Sequence, residues 1–521
     1  MESLRETTSR EIPRRQSRTA TLCLGVVLLA GIALRLRQFF AGRSLWYDEA
    51  MLAYNLVTRS FAGLLRPLDY HQGAPVGFLF VQKALLLLLG RHDLSLRLFP
   101  LLAGITGLCL LWYAGSRTIG RGPALGAVCL AAFCGEMVKY SSEAKQYSSD
   151  IVVCLTVFWM ACRLLDSASR RREVLLFGIV AGLLLWFSHP AAFVVAGAGV
   201  VLLLDAWAKK EGKKAAHLLL AGGVCAASFA ALYAVSLRFL ASDEYLTGYW
   251  RGTYPTAPAT LNFFMPMPPW KDFRWFQWAW QRFLGQTAGL RFPWLSSLIL
   301  LAGAFFLFRR SWQKGAMVVL PCVLVLAASG FEKYPFGGRL LLFLLPFVFL
   351  LAGEGVGCLF RLAERLRRRM GAVTATVAVG ALVLPQIPPA VEMFRRPEMG
   401  EHIKPVMAYV GQKRQLADGV YVYYASVPAF VFYSPRFGFS EGEYERGVAA
   451  RDNPRRYLED IDLLASRRRV WFVCTHNCWW CGVDEHTYIL QHLAATGTLA
   501  DVYSSEGAWA YLYVRDESSG R

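Results

Sequence analysis

Apolar runs of about 15 to 24 residues recur along the first 390 positions, separated by short polar, mostly basic connections. Runs of that length match the hydrocarbon thickness of a bilayer when helical. They predict membrane spans near 19–37, 97–115, 121–138, 147–165, 173–188, 190–207, 215–240, 293–308, 315–331, 338–360 and 372–390. One run is different. Val76 to Gly90 ends in five consecutive leucines, but its fifteen residues would reach only about 22 Å as a helix, short of a comfortable crossing. Leaving it out puts the basic clusters Arg5 to Arg18, Arg117 with Arg121, Arg163 to Arg172, Lys209 to Lys214, Arg309 to Lys314 and Arg361 to Arg369 on one side, with Arg35 and Arg37 as exceptions. Counting it as a span would break that series, so it reads as an interfacial helix on the other side.

The expected organisation is an all-α polytopic membrane domain of about eleven transmembrane helices plus interfacial helices, followed by a soluble C-terminal α/β or α+β domain. A basic cytoplasmic tail covers 1–18, the membrane domain covers 19–390 with outer loops 38–96 and 241–292, and 391–521 forms the extracytoplasmic domain. The amino-terminal apolar segment is followed by no small-residue cleavage site and reads as a retained first span. In the C-terminal part, Gly419-Val-Tyr-Val-Tyr-Tyr424, Arg469-Val-Trp-Phe-Val473 and Ala508-Trp-Ala-Tyr-Leu-Tyr-Val514 read as strands between helical stretches.

Composition changes little in this picture. The net charge of +19 and pI near 9.5 would suit a nucleic-acid partner if they formed one stripe, but the cations sit between apolar runs and serve topology, so no nucleic acid is expected. Nine of the twelve cysteines lie within apolar spans as small hydrophobes. The other three cluster in Cys474-Thr-His-Asn-Cys478-Trp-Trp-Cys481. In an oxidising compartment a structural disulfide between two of them is expected, with a zinc site using His476 as the other reading.

Chemistry gathers on the outer side. Asp48 and Glu49 follow the first span within Ser44-Leu-Trp-Tyr47-Asp-Glu-Ala50, and paired acids at a membrane face are expensive unless used or set against a helix dipole. His71 precedes the interfacial helix, which contains Lys83; Arg97 opens the second span. The third span ends in an unusually polar junction holding Lys139, Glu143, Lys145, Tyr147 and Asp150; His189 lies in a tight turn, and Arg339 follows Tyr334-Pro-Phe-Gly-Gly338. An isolated cation at a helix end commonly anchors it by snorkelling. Carboxylates and cations collected on one face from distant segments suit a phosphorylated ligand beside a general base. Tyr245, Tyr249, Trp250, Tyr254, Phe263, Phe264, Trp270, Trp275, Trp278 and Trp280 in loop 241–292 suit sugars, prenyl chains or an interfacial belt.

Trp46-Tyr-Asp-Glu49, His71 to Pro75, Leu94-Ser-Leu-Arg97-Leu-Phe-Pro100, Tyr140-Ser-Ser-Glu-Ala-Lys145-Gln-Tyr147 and Arg339-Leu-Leu-Leu-Phe-Leu-Leu-Pro346, in that order, resemble the GT-C integral-membrane glycosyltransferases. The likeness covers roughly residues 20–350 and is greatest to the group of protein O-mannosyltransferases and the lipid A aminoarabinose transferase. It implies a polyprenyl-phosphate sugar donor, a lipid, glycan or protein acceptor, surrounding membrane lipids, and an inverting transfer on the non-cytoplasmic face; the abundance of Ala, Leu and Arg points to a bacterial inner membrane. Asp48 falls at the family's catalytic acid, with Glu49 its acidic neighbour; Arg97, Lys145 and Arg339 fall at cations near the donor phosphate, with Lys83 a further candidate. Tyr47, His71, Glu143, Tyr147, Asp150 and His189 complete the candidate set. The resemblance also leaves open a divalent metal ion, with His71 or His189 as conceivable ligands. The chain departs from the family in His71-Gln-Gly-Ala-Pro75, where a His-Pro-Pro or Lys-Pro-Pro signature is frequent, and in Lys145, where arginine is common. Lysine meets a phosphate as a point charge without the planar fork. The alternative function is a membrane transporter or lipid flippase, which scattered intramembrane charges would also suit. No inverted repeat supports it.

Overall fold

The computed structural model describes every residue except 1, 167–169, 254–261, 368–369, 451–452, 477–483 and 516–521, and the side chains from residue 20 onward. Among the described residues, nine helices are long and apolar enough to cross a membrane, and a tenth is counted if one bent pair forms a single span. The chain is an integral membrane protein.

Helix α1 (Glu2–Phe39) leads into α2 (Tyr47–Thr58) and the short apolar α3 (Val76–Leu89). Then come α4 (Asp93–Thr118), α5 (Arg121–Phe133), α6 (Gly135–Lys139), α7 (Tyr147–Asp166), α8 (Arg171–Leu184), α9 (Ala191–Ala208) and α10 (Gly212–Leu232). After α10 come α11 (Arg238–Ala241), α12 (Glu244–Arg251) and α13 (Phe273–Arg282). The membrane domain closes with α14 (Pro293–Arg310), α15 (Trp312–Gly330), α16 (Leu345–Leu366), α17 (Met370–Val383) and α18 (Ile387–Arg395).

Two spans differ from the reading above. Where 173–188 was expected to cross, α8 stops after 14 residues, a rise of about 21 Å. The chain then leaves the helix through tight turns at Trp186 and Phe187 before Ser188-His189-Pro190, because a proline disfavours helix at the residue before it. The expected straight span at 121–138 is bent by 65° between Arg121–Phe133 and Gly135–Ser142. Cys134 breaks it with an extended ψ of 113°. The bend swings the polar 136–147 stretch inward.

Close backbone approach fixes the bundle, as expected where apolar helices lie in apolar solvent and small residues decide contact. A Cβ on Gly303 of α14 would stand 2.0 Å from the Leu351 carbonyl oxygen of α16, and one on Gly353 would stand 2.2 Å from the Pro123 carbonyl oxygen of α5. Helix α16 is therefore clamped between α14 and α5, which fixes the segment bearing Arg339 at its start.

The C-terminal part is a five-stranded mixed sheet in the order β2-β1-β3-β5-β4, with β1 (Gly419–Val422), β2 (Glu445–Arg446), β3 (Arg469–Thr475), β4 (Gly497–Ser505) and β5 (Ala508–Arg515). Strands β2, β1 and β3 run parallel, and β5 and β4 are antiparallel. The three expected strands are present; the exposed edge strand β4 has no comparable apolar run. Helices α19 (Ile403–Lys413), α20 (Val427–Tyr433), α21 (Arg455–Ile461) and α22 (Glu485–Thr496) cover the sheet. One face packs Tyr421, Phe472, Ile461 and Ile489 together. The other places Val420, Val422, Trp471 and Val473 in one core with α19, α20 and with Leu45, Ala50, Leu52, Phe78 and Leu79 from the region of α2 and α3. The sheet thus shares its core with α2 and α3.

Candidate active site

After α1 the chain reverses at Gly42, whose φ of +72° is freely available only to glycine, and runs to the start of α2. Helix α2 presents Asp48 and Glu49 in its first turn, where carboxylates complement the unpaired N–H groups and the dipole. Adjacent helical residues point about 100° apart, so the two acids enter different surroundings.

Glu49 is sealed. It is 0% exposed, as is Arg97 of α4, which binds it through two donors at 3.0 and 2.6 Å. Ala144 N and Trp46 N donate to it at 2.7 and 3.3 Å. Burial raises the Glu49 carboxyl, but the opposing charges of Arg97 and Arg43 outweigh it and hold the group below its ordinary value. Arg97 also donates to the carbonyls of Arg43 and Ser44, both at 2.9 Å. Its guanidinium is fully committed, unlike the phosphate-facing cation expected from the sequence.

Asp48 faces the other way. Lys145 Nζ reaches one carboxylate oxygen at 3.0 Å and Arg339 Nη2 reaches the other at 2.9 Å. Burial pushes this carboxyl up, yet Arg339 and Lys145 together bring it down to about 2. Lys145 also donates to Gln72 at 2.7 Å; burial pulls its ammonium below the ordinary lysine value, with Asp48 opposing. Gly338, at φ +52°, turns Arg339 into the site, where its guanidinium lies 5.8 Å from the Trp46 ring centre and 5.7 Å from that of Tyr147. A polar cavity of about 300 Å³ opens against Arg339, lined also by Glu136, Tyr140, Tyr249, Trp250, Gln286 and Thr287. A second, apolar cavity of about 440 Å³ is lined by Trp275, Phe276, Trp280, Trp294 and Phe336.

Every residue from Tyr140 to Asp150 is buried. Glu143, 1% exposed, has neither carboxylate oxygen hydrogen-bonded among the described residues. Burial and the nearby charge of Glu49 push it up to about 7, against Arg43, Lys139 and Arg339. Tyr147 packs edge-on to Tyr140 at 4.9 Å between centroids, and Asp150 is buried beside Ser188.

Three expected residues lie in other settings. Lys83 donates to the Leu56 carbonyl at 2.7 Å, tying α3 to the end of α2. His71 pairs with Asp243 at 2.9 Å and stacks on Tyr245. His189 is held in the turn before α9, where burial lowers its imidazole to about 4. Among the described residues no three His, Cys, Asp or Glu side chains converge as a metal-holding group. Of the cysteine cluster, Cys478 and Cys481 fall outside the described residues; Cys474 stands 2.9 Å from His486 Nε2. His476 pairs with Glu401.

Sequence reasoning singled out neither Arg43, whose side chain donates to the Ser142 carbonyl at 2.6 Å, nor Gln72 as a partner of Lys145. For Gln72 a signal existed, since it sits inside the 71–75 segment that carried the resemblance. Arg43 had none, being one more cation beside a span.

Solved structures of known proteins share this fold. The C. metallidurans (Cupriavidus metallidurans) ArnT structure bound to undecaprenyl phosphate matches at a TM-score of 0.55 and 13% identity over 96% of this chain and 98% of that one. The oligosaccharyltransferase AglB from Archaeoglobus fulgidus, in complex with an inhibitory peptide and a dolichol-phosphate, matches at 0.54 and 11% identity, over 96% of this chain and 75% of that one. The fold is that of the GT-C glycosyltransferases. Residues 73–233 also match the dolichyl-phosphate-mannose-protein mannosyltransferase family. No curated protein matches the sequence as a relative. The expected resemblance is borne out in the fold and in the mannosyltransferase-family match over residues 73–233.

Proposed function

We propose that this GT-C protein moves a sugar from a polyprenyl-phosphate donor to a lipid, glycan or protein acceptor on the non-cytoplasmic face of a bacterial inner membrane, with Asp48 as the general base. The observation that carries this is the Lys145–Asp48–Arg339 arrangement, whose Arg339 lines a polar cavity. Two cations from distant segments converge on one carboxylate, and among the described residues neither is ion-paired to a second, which leaves them able to meet another anion. An ArnT bound to undecaprenyl phosphate and an AglB bound to a dolichol-phosphate share the fold, which supports a phosphate as that anion. The apolar cavity, lined by Phe336 three residues before Arg339, suits the prenyl chain.

Held near 2, Asp48 is a weak base, and a base is most effective with a pKa near the working pH. The donor phosphate resolves this. When its oxygens engage Lys145 and Arg339, they draw those cations from Asp48, whose basicity rises as the acceptor arrives. Asp48 takes the proton from the acceptor hydroxyl or amine, the acceptor atom bonds to the anomeric carbon, and the bond from that carbon to the phosphate oxygen breaks with its electron pair. Lys145 and Arg339 stabilise the developing phosphate charge. In-line displacement inverts the anomeric configuration.

The test is direct transfer by purified protein in nanodiscs, using polyprenyl-phosphate hexoses and pentoses with labelled sugar. Transfer that requires Asp48 is the expected result; absence of transfer across donors and acceptors drawn from the native membrane overturns the reading.

A further inference from the structure

Helix α2 begins without an ordinary cap. Its N-cap residue is Trp46, which has no side-chain oxygen to accept from the first-turn N–H groups. The missing acceptor comes from the C-terminal domain: Tyr47 N donates to Glu401 Oε2 at 2.8 Å, across 354 residues. The other Glu401 oxygen is held by His476 Nδ1 at 2.6 Å, and the His476 ring stacks on Tyr47 with centroids 4.1 Å apart and planes 16° apart. His476 does this at a φ of +56°, a costly backbone region for a residue with a Cβ.

The clamp is itself supported. His402 N donates to the Glu506 carbonyl at 2.7 Å, and a Cβ on Gly507 would lie 2.6 Å from the Gly400 carbonyl oxygen, so the β4–β5 turn is pressed onto the chain before Glu401. His402 Nδ1 lies 3.0 Å from Ser44 Oγ, Lys404 reaches the Gly42 carbonyl at 2.7 Å, and Tyr433 Oη accepts from Leu45 N at 2.9 Å. The approach to Asp48 is thus pinned from the soluble side at Gly42, Ser44, Leu45 and Tyr47.

We propose that Glu401, oriented by His476, is a positioning residue for the transfer reaction: by capping α2 at Tyr47 it aims the adjacent Asp48 carboxylate at the acceptor. The C-terminal domain is therefore part of the catalytic apparatus, acting through α2. This rests on the transferase reading. A base displaced by about 1 Å can cost on the order of a hundredfold in rate, so removal of a cap next to the base is read in turnover.

The experiment uses full-length protein in nanodiscs, comparing wild type with Glu401→Ala, Glu401→Gln and His476→Ala. Amide exchange over residues 44–50 by mass spectrometry reads the clamp; transfer from a polyprenyl-phosphate sugar reads its consequence. Glu401→Ala is expected to speed exchange at the start of α2 and to lower kcat about tenfold or more, with donor KM within about twofold. Glu401→Gln, which keeps an acceptor oxygen, restores most of the rate, and His476→Ala falls between. Unchanged exchange in Glu401→Ala overturns the clamp whatever the activity. Faster exchange with kcat per folded molecule unchanged overturns the positioning role. Inactive wild type would sink the transferase reading and the positioning role with it, while the exchange result would still decide the clamp.

Discussion

Asp48 and Glu49 are adjacent, identical in charge and each tied to a cation, yet they belong to different regions of the molecule. Around Glu49 every group is spent: both Arg97 and the carboxylate are 0% exposed, and the remaining donors bond to backbone. Around Asp48 the cationic partners are two single contacts, from Lys145 and Arg339, with Gln72 beside them, and the Arg339 side chain remains 25% exposed beside a cavity. The comparison teaches that closure separates scaffold from chemistry here. A fully satisfied buried pair fixes a shape, whereas a carboxylate under two cations is poised to exchange partners when another anion enters.

The largest expected effect lies on the open side. Asp48→Asn keeps the shape of the side chain but removes the base, so turnover per folded molecule should fall by about 10² to 10⁴. Transfer within a few-fold of wild type would remove Asp48 from the mechanism and leave the comparison without content.

On the closed side the expected loss is in stability. Arg97→Ala strands a buried carboxylate and frees two carbonyls, which costs about 3 to 5 kcal/mol where a buried pair is broken by removing one partner. Thermal unfolding in nanodiscs should show it, and Arg97→Ala together with Glu49→Gln should recover part of the loss. If Arg97→Ala instead left stability intact and weakened donor binding, Arg97 would join the phosphate-facing cations as the sequence suggested.

That suggestion shows what was legible in the sequence. Length and hydrophobicity identified most of the spans and the short α3, and the ordered motifs brought Asp48, Lys145 and Arg339 into one candidate set. They could not separate Arg97 from Lys145, because both are single cations near helix ends. Commitment is a matter of which carbonyls lie within reach, and the carbonyls of Arg43 and Ser44 come from a turn 54 and 53 residues away. Glu401 was silent for the same reason, as its partner Tyr47 lies 354 residues away. The short α8 was readable in principle from Ser188-His189-Pro190, but the apolar run before it was extended too far.

A smaller effect sharpens the open side. Lys145→Ala and Arg339→Ala each remove one charge-assisted contact to the proposed phosphate, so affinity for a polyprenyl phosphate, measured by titration in nanodiscs, should fall by about 1.5 to 3 kcal/mol. Lys145→Arg should bind at least as well, because a guanidinium offers a planar fork. Undiminished binding in Arg339→Ala would return that residue to the role of a helix anchor stacked between Trp46 and Tyr147.

The smallest effect concerns Glu143, which lies between the two regions and belongs to neither. Burial first, and the charge of Glu49 second, raise its carboxyl from 4.5 to about 7, against Arg43, Lys139 and Arg339. The sign follows from the raised folded value. Between about 4.5 and 7 the folded chain keeps a proton that the unfolded chain has released, so stability falls as pH rises through that window. One group contributes at most about 1.4 kcal/mol per pH unit. Glu143→Gln, permanently neutral, should remove this part of the slope and leave the protein more stable than wild type above about pH 7. Unfolding temperatures of both proteins across pH 4.5 to 8 test it. Parallel curves would mean that the cations around Glu143 already hold it ionised, making it a third anion of the site and halving the contrast between a closed Glu49 and an open Asp48.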